Sequence, residues 1–252
     1  MLGVVLVGQL GVLSQPATAV SMWRPHAGVT WQWQLDGAIH TSVPARVYDI
    51  DSSVRRSVVT TLHAQGRKVI CYISAGSWEN FRPDAGDFPA SVKGRALDGW
   101  PGERWLDIRR TAVLRPIMAA RLDVCRSKGF DGVEADNVEG YRNSTGFALT
   151  AADQLTYNLM IARLAHARGL AVGLKNDVGQ VRRLEPDFDF AVNEQCVQYD
   201  ECAPYAAFIA ADKPVFHAEY SLTRSQFCPT ARRLGLSSIR KRLSLRVWRR
   251  AC

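Results

Sequence analysis

Short apolar runs recur along this chain, and most are followed by a stretch whose apolar residues repeat every three to four positions. The runs at 30–34, 45–50, 68–73, 132–135, 171–174, 188–193, 215–218 and 237–239 have the length of buried strands. Helical periodicity occupies 53–64, 112–128, 151–168, 178–184 and 204–211. Gly66, Gly129 and Gly169 stand just past three of these patterns, where glycine closes a last helical turn. Strand alternating with helix predicts an α/β fold with a parallel sheet, and eight such strands predict closure into one (β/α)8 TIM barrel. Only ten residues separate Gln34 from Ala45, too few for a full helix, so the first β/α unit is expected to be abbreviated. Residues 74–111, rich in Gly, Pro and Trp, form a long excursion, and loops of that length in a compact domain usually carry function.

The ends of the chain add a compartment. The first 22 residues hold no charge, their apolar run is too short to span a bilayer, and Ala17-Thr18-Ala19 supplies a small-x-small cleavage site. A secretory signal peptide over 1–19 and a mature barrel over 20–252 are therefore expected. The basic segment that normally opens such a signal is missing, so the true start is expected upstream; the competing reading is a buried N-terminal helix. No apolar run is long enough for a membrane span.

Export makes the six cysteines candidates for bridges. Cys196 and Cys202 flank a five-residue loop, and Cys228 with Cys252 would tie the tail to the body. Cys71 and Cys125 are either buried thiols or a third bridge. Neither Cys-x-x-Cys nor paired-His spacing occurs, and no metal or cofactor is expected. The net charge is +8, and much of it lies in IRKRLSLRVWRR (239–250). That tail is either an anion-binding patch or a solvated basic face; with no nucleic-acid motif beside it, the solvated face is the better reading and no nucleic-acid partner is expected.

In a parallel barrel the ligand-binding residues stand at the C-terminal ends of the strands. Those ends read Trp33 and Gln34; Asp51; Tyr72 and Ser74, then Trp78 and Glu79; Glu134, Asp136 and Asn137, then Tyr141; Lys175 and Asn176; Asn193, Glu194 and Gln195; Glu219 and Tyr220. Carboxylates, amides and aromatic rings converging on one rim suit a sugar, which offers hydroxyls to hydrogen-bond and C–H faces to stack. Two carboxylates on facing strands are the machinery of glycoside hydrolysis, and Lys175 is a candidate partner for charge that would otherwise be buried alone.

Strand parity selects the pair. Side chains at i and i+2 share a face, so Glu134 and Asp136 point the same way, with Asp136 nearer the rim. Glu194 follows Phe190 and Val192 on one face. Asp136 and Glu194 are the expected catalytic pair. Asp49 and Asp51 are not both expected to point inward, one of them capping the next helix. Asp131 and Asp189 sit at strand starts and read as structural, and His217 as a satisfied core histidine. Asp107 caps a helix or lines the long loop; Trp100 and Trp105 are sugar platforms or local packing. No Gly-x-Ser-x-Gly elbow, P-loop or dinucleotide fingerprint is present.

The segments WQWQLDG (31–37), CYISAGSWE (71–79), WLDIR (105–109), KGFDGVEADNVEGY (128–141), GLKN (173–176), NEQCVQYDEC (193–202) and KPVFHAEY (213–220) resemble glycoside hydrolase family 114. This is the endo-α-1,4-polygalactosaminidase-type barrel family, and the resemblance covers roughly residues 30–239. It implies a secreted, endo-acting, retaining enzyme on galactosamine polymers, with Asp136 as nucleophile and Glu194 as acid/base; the residues alone equally allow the reverse. Acid/base action requires Glu194 to carry a proton at the working pH while Asp136 stays ionised. The competing readings are a hydrolase of another amino-sugar polymer and an inactive sugar-binding barrel.

Overall fold

A computed structural model describes residues 22–252, so the expected signal peptide at 1–19 and its cleavage site lie outside the described residues. Eight parallel strands follow one another around the sheet: β1 Trp31–Gln34, β2 Val47–Asp51, β3 Lys68–Ser74, β4 Gly132–Asp136, β5 Ala171–Lys175, β6 Phe190–Glu194, β7 Val215–Glu219 and β8 Ser237–Arg240. The helices are α1 Arg56–Ala64, α2 Thr111–Lys128, α3 Ala151–His166, α4 Val181–Leu184, α5 Ala206–Ala210 and α6 Arg224–Arg233. Each strand lies within a few residues of its sequence expectation. No helix separates β1 from β2. Instead the Gln34 side chain braces the short connection, donating to the Ala38 carbonyl at 2.8 Å and accepting from the His40 amide at 3.3 Å.

Pleat alternation divides the apolar residues between two cores. Trp31, Trp33, Ile70, Phe190, Val192, Phe216 and Ile239 point into the barrel, while Tyr48, Ile50, Cys71, Val133 and Leu174 pack against the helices. The barrel floor is aromatic: Trp31 lies 5.7 Å from Trp33 and 5.1 Å from Phe216, centroid to centroid. Gly173 on β5 makes room for this floor, since a Cβ there would sit 2.1 Å from the Phe190 ring.

Ladder hydrogen bonds run from β1 to β8, and the basic tail closes the seam between those two strands. Gln32 Nε2 donates to the Val247 carbonyl at 2.8 Å, Leu35 N to the Leu245 carbonyl at 3.0 Å, and Trp31 Nε1 to the Ser237 carbonyl at 2.7 Å. Arg250–Ala251 pairs antiparallel with β8, and Cys252 is bonded to Cys228. The tail is therefore not simply a solvated basic face. Lys241 is buried, its Nζ donating to the Arg246 carbonyl, and burial followed by the charge of Arg249 pulls its pKa down to about 7.

Two further elements were not legible. The excursion at 74–111 carries an antiparallel sheet of Ser77–Glu79, Glu103–Leu106 and Lys93–Ala96, in that spatial order. Its strands are only three or four residues long and are interrupted by Gly and Pro, which erases any periodic signal. Helix α6 carries Pro229 in its interior, although the capping box of Thr223 and Gln226 marks its start.

All six cysteines are bridged, as Cys71–Cys125, Cys196–Cys202 and Cys228–Cys252. The first ties β3 to α2 across 54 residues of chain. By loop entropy such a closure contributes about 4 kcal/mol. Paired replacement of Cys71 and Cys125 by Ala is expected to lower stability by about that amount, read as the shift in denaturation midpoint.

Candidate active site

Three neighbouring strands end alike. Asp136 on β4 is followed by Asn137 at φ 63°, Lys175 on β5 by Asn176 at φ 47°, and Glu194 on β6 by Gln195 at φ 64°. Each left-handed residue turns the chain away from the sheet directly after a charged residue, leaving that side chain at the barrel mouth. Asparagine tolerates this conformation; Gln195 does so at a strain of roughly 1 kcal/mol or more. Its amide is held by the Ala218 carbonyl at 2.8 Å.

Lys175 organises the site. Its Nζ lies 2.9 Å from Asp136 Oδ1, 3.1 Å from Glu194 Oε2 and 3.3 Å from Glu134 Oε1, with the residue only 2% exposed. Burial opposes its charge, but Asp136, Glu194 and Glu134 outweigh that and hold its pKa well above that of an ordinary lysine. Trp33 supplies a floor, its ring 5.0 Å below the ammonium and its Nε1 donating to Glu134 Oε2 at 3.1 Å. The outer oxygens are also met: Tyr72 donates to Asp136 Oδ2 at 2.8 Å, Asn137 N to Asp136 Oδ1 at 2.7 Å, and the Tyr220 hydroxyl to Glu194 Oε1. Asn176 Oδ1 accepts from the Glu194 amide at 3.0 Å, fixing β6 against β5.

Beneath this cluster Asp49 is fully buried against Glu134. Burial, with the charge of Glu134 beside it, raises the Asp49 carboxyl well above the usual range; burial, with the charges of Asp136 and Glu194, raises that of Glu134 to about 7 against the pull of Lys175. Asp49 and Asp51 are i and i+2 on β2 and share the inward face, contrary to expectation. Asp49 lies deep; Asp51 reaches the mouth, pairs with both Arg82 nitrogens at 2.8 Å and also accepts from the Ser53 amide at 2.7 Å.

Above the cluster opens a cavity of about 840 Å³. Of the residues singled out from sequence, Trp33, Asp51, Tyr72, Glu79, Asp136, Asn137, Lys175, Asn176, Glu194, Gln195 and Tyr220 line it. Six others stand behind the wall. Gln34 braces the β1–β2 connection. Ser74 receives Asn137 Nδ2 at 2.9 Å, and Trp78 packs under Lys93 with its Nε1 on the Ala85 carbonyl. Tyr141 stands against Asp177. Asn193 holds Tyr205 and the Cys196 amide, and Glu219 receives the Val197 and Gln198 amides at 3.1 Å together with buried His217. These six position backbone and loops rather than face the cavity. Asp131 and Asp189 each accept from a neighbouring strand's amide and a histidine. Asp107 is taken by Arg109.

Apart from Trp100, the rim carries what the sequence did not mark. Phe81, Trp100, Tyr199 and Leu243 are each more than half exposed and line the cavity, whereas Trp105 is buried. They come from the excursion, the loop after β6 and the tail, so no periodicity links them. Glu103, Glu139 and Asp177 also line it, and burial raises their pKa values to about 7, about 8 and about 7. A carboxyl whose folded pKa exceeds its unfolded value binds its proton more tightly in the native state. Its stabilising contribution is complete below the unfolded value near 4 and is lost as pH rises through 7 to 8. The melting temperature is therefore expected to fall between pH 5 and pH 8.5, and Glu139→Gln to flatten that fall.

A parallel barrel whose C-terminal rim sets two carboxylates on one buried ammonium, beneath an open cavity edged with exposed aromatic rings, has the construction of a glycoside hydrolase. The chain belongs to glycoside-hydrolase family GH114, whose model matches residues 13–252. It is 43% identical to Ega3 of Aspergillus fumigatus, solved in complex with galactosamine, with a TM-score of 0.88 over 93% of this chain and 99% of that one. The glycoside hydrolase domain of PelA from Pseudomonas aeruginosa shares the fold at 12% identity, with a TM-score of 0.68 over 88% of this chain and 97% of that one. A protein of Deinococcus radiodurans with no assigned activity is 29% identical over 232 residues, 81% of this chain and 73% of its own.

Proposed function

We propose that this glycoside hydrolase is secreted and cuts α-1,4-linked galactosamine polysaccharide within the chain, with retention of anomeric configuration. The observation that carries the mechanism is the shared lysine. Asp136 Oδ1 and Glu194 Oε2 lie 2.9 and 3.1 Å from one nitrogen. They are thus no more than about 6 Å apart, close to the 5–5.5 Å of retaining pairs and short of the 6.5–9.5 Å that leaves room for an inverting water.

Asp136, oriented by Tyr72, Asn137 N and Lys175, attacks the anomeric carbon as Glu194 protonates the departing glycosidic oxygen. A glycosyl-Asp136 ester forms. Glu194, now ionised, takes a proton from water, which attacks the same carbon and releases Asp136. Asp136 is assigned the nucleophilic role because three donors orient it, whereas Glu194 receives two and is the more exposed side chain. The galactosamine bound by Ega3 supports the sugar, and an open cavity with rings along its rim supports action inside a long chain.

The test is release of reducing ends from partly deacetylated α-1,4-galactosamine polymer, with the first product's anomer read by proton NMR. The α anomer is expected first; β first would overturn retention, and no release would overturn the substrate. Three bridges and the uncharged leading segment support secretion, and N-terminal sequencing of exported protein is expected to begin at Val20.

A further inference from the structure

Charge is sharply divided in this molecule. Residues 221–252 hold nine Lys and Arg and no Asp or Glu, so of the chain's 32 basic and 24 acidic residues the rest carries 23 against 24. The net +8 thus belongs to the segment of α6, β8 and the tail. The catalytic cavity has the opposite sign, with nine carboxyl side chains against three basic ones. Of the nine basic residues in 221–252, only Arg246 has a side-chain carboxylate partner, Asp36, among the described residues.

In a regular barrel a helix follows each strand. Among the described residues none follows β8 and none separates β1 from β2, so the tail and the β1–β2 connection cover that flank instead. There a groove of about 430 Å³ is lined by Arg224, Arg249 and Arg250 together with Val43, Pro44 and Trp248, and by no acidic residue. It shares no residue with the catalytic cavity. Its walls are tied together. Arg249 Nη2 donates to the Pro44 carbonyl at 2.8 Å, the Tyr48 hydroxyl donates to the Val43 carbonyl at 2.7 Å, and Arg250 is held in the ladder with β8. The Arg242 guanidinium lies 5.0 Å from the centre of the Trp248 ring. Arg249 Nη1 is buried with no hydrogen-bond partner, and burial pulls the guanidinium's pKa down. Charge held partly out of water without a counter-ion is costly, and an anion in the groove relieves that cost.

We propose that this groove binds an anionic polysaccharide, its arginines taking carboxylate or sulfate groups while Pro44 and Trp248 meet the C–H faces of the sugars. The guanidinium fork matches such anions in shape as well as charge. A membrane surface fits less well. The exposed large apolar side chains stand at the catalytic cavity or, for Val124, on α2, so this flank offers no anchor to insert. A nucleic acid is met mainly through the phosphates along its backbone, which leaves the apolar lining of the groove unused.

The division of charge separates the two sites in use. The acidic cavity repels the polymer that the basic groove attracts, so the bound polyanion does not compete for the catalytic site. Held by this flank, the enzyme is fixed to an acidic matrix with its active site free. None of this depends on which polymer the enzyme cuts.

Fluorescence titration of the intact protein with labelled polygalacturonate, dextran sulfate, neutral dextran, duplex DNA and anionic phospholipid vesicles, in about 0.15 M salt, tests this. Wild type is expected to bind polygalacturonate or dextran sulfate, the tighter of the two identifying the anion, and to leave neutral dextran unbound. Arg224 and Arg250 are both exposed, and Arg224→Gln combined with Arg250→Gln is expected to lower that affinity by about 10-fold or more. Arg55→Gln combined with Arg56→Gln makes the same change of charge on two exposed residues at the start of α1, and is expected to stay within about 2-fold of wild type. Both variants are expected to melt within about 2 °C of wild type, since the altered side chains are exposed. Equal losses in the two variants overturn the groove and leave only the general attraction of a basic protein. Absence of binding to both anionic polysaccharides overturns it as well. Tighter binding of DNA or vesicles than of either polysaccharide overturns the ligand class.

Discussion

Lys175→Met is expected to lose about 3–5 kcal/mol of stability at pH 8, because one buried ammonium holds three carboxylates and its removal leaves their charge unmatched. For a chain of this size that corresponds to a melting-temperature drop of roughly 10 °C. The sign of its pH dependence is diagnostic. Glu134 is already raised by burial with the ammonium in place, and losing that cation raises it further. A carboxyl with a raised folded pKa gains protons on folding, so the variant recovers stability as pH falls from 8 towards 5. Thermal denaturation across that range checks it. A variant as stable as wild type at pH 8 would show that Lys175 does not carry the cluster. Turnover is expected to vanish as well, since the same nitrogen sets the separation of Asp136 and Glu194.

The second large effect is chemical rather than structural. Asp136→Asn and Glu194→Gln are each expected to lower kcat by about 10³-fold or more with the fold retained. Lys175 keeps two carboxylate partners in either variant, so neither strands the ammonium. The roles are separated by azide. In Asp136→Ala the anion enters from the face the nucleophile vacated, and the glycosyl azide formed has inverted configuration. In Glu194→Ala the glycosyl-Asp136 ester still forms with a good leaving group, and azide opens it with net retention. The opposite stereochemical pattern would exchange the two roles.

The parts of the site read from sequence and the parts missed differ in the length over which they are encoded. That Glu134 and Asp136 share a face follows from the pleat, and that Lys175 and Glu194 stand at strand ends follows from where the apolar runs stop. The same parity rule applied to Asp49 and Asp51 would have placed both inward, as the structure does; expecting one of them to turn away set the rule aside. Gln34, Ser74, Asn193 and Glu219 also end strands, yet their side chains are spent on loops within a few residues or on neighbouring strands. A strand end tells that a side chain is near the mouth, not whether a loop folds back to claim it.

Patterns along the chain were enough for the eight strands, most of the helices, the family, and the inward face of the site side chains other than the Asp49 and Asp51 pair. These depend on alternation, spacing and capping over fewer than about twenty residues, where backbone geometry leaves little choice. It took the folded barrel to set Lys175 on three carboxylates, to seal the barrel between β8 and β1 with a basic tail, and to edge one cavity with apolar side chains from three distant segments. Those outcomes follow from barrel closure, which brings residues as far apart as Gln32 and Val247 into hydrogen-bond contact. Pairings at that separation are set by how the whole sheet twists and shuts, and no local pattern along the chain records them.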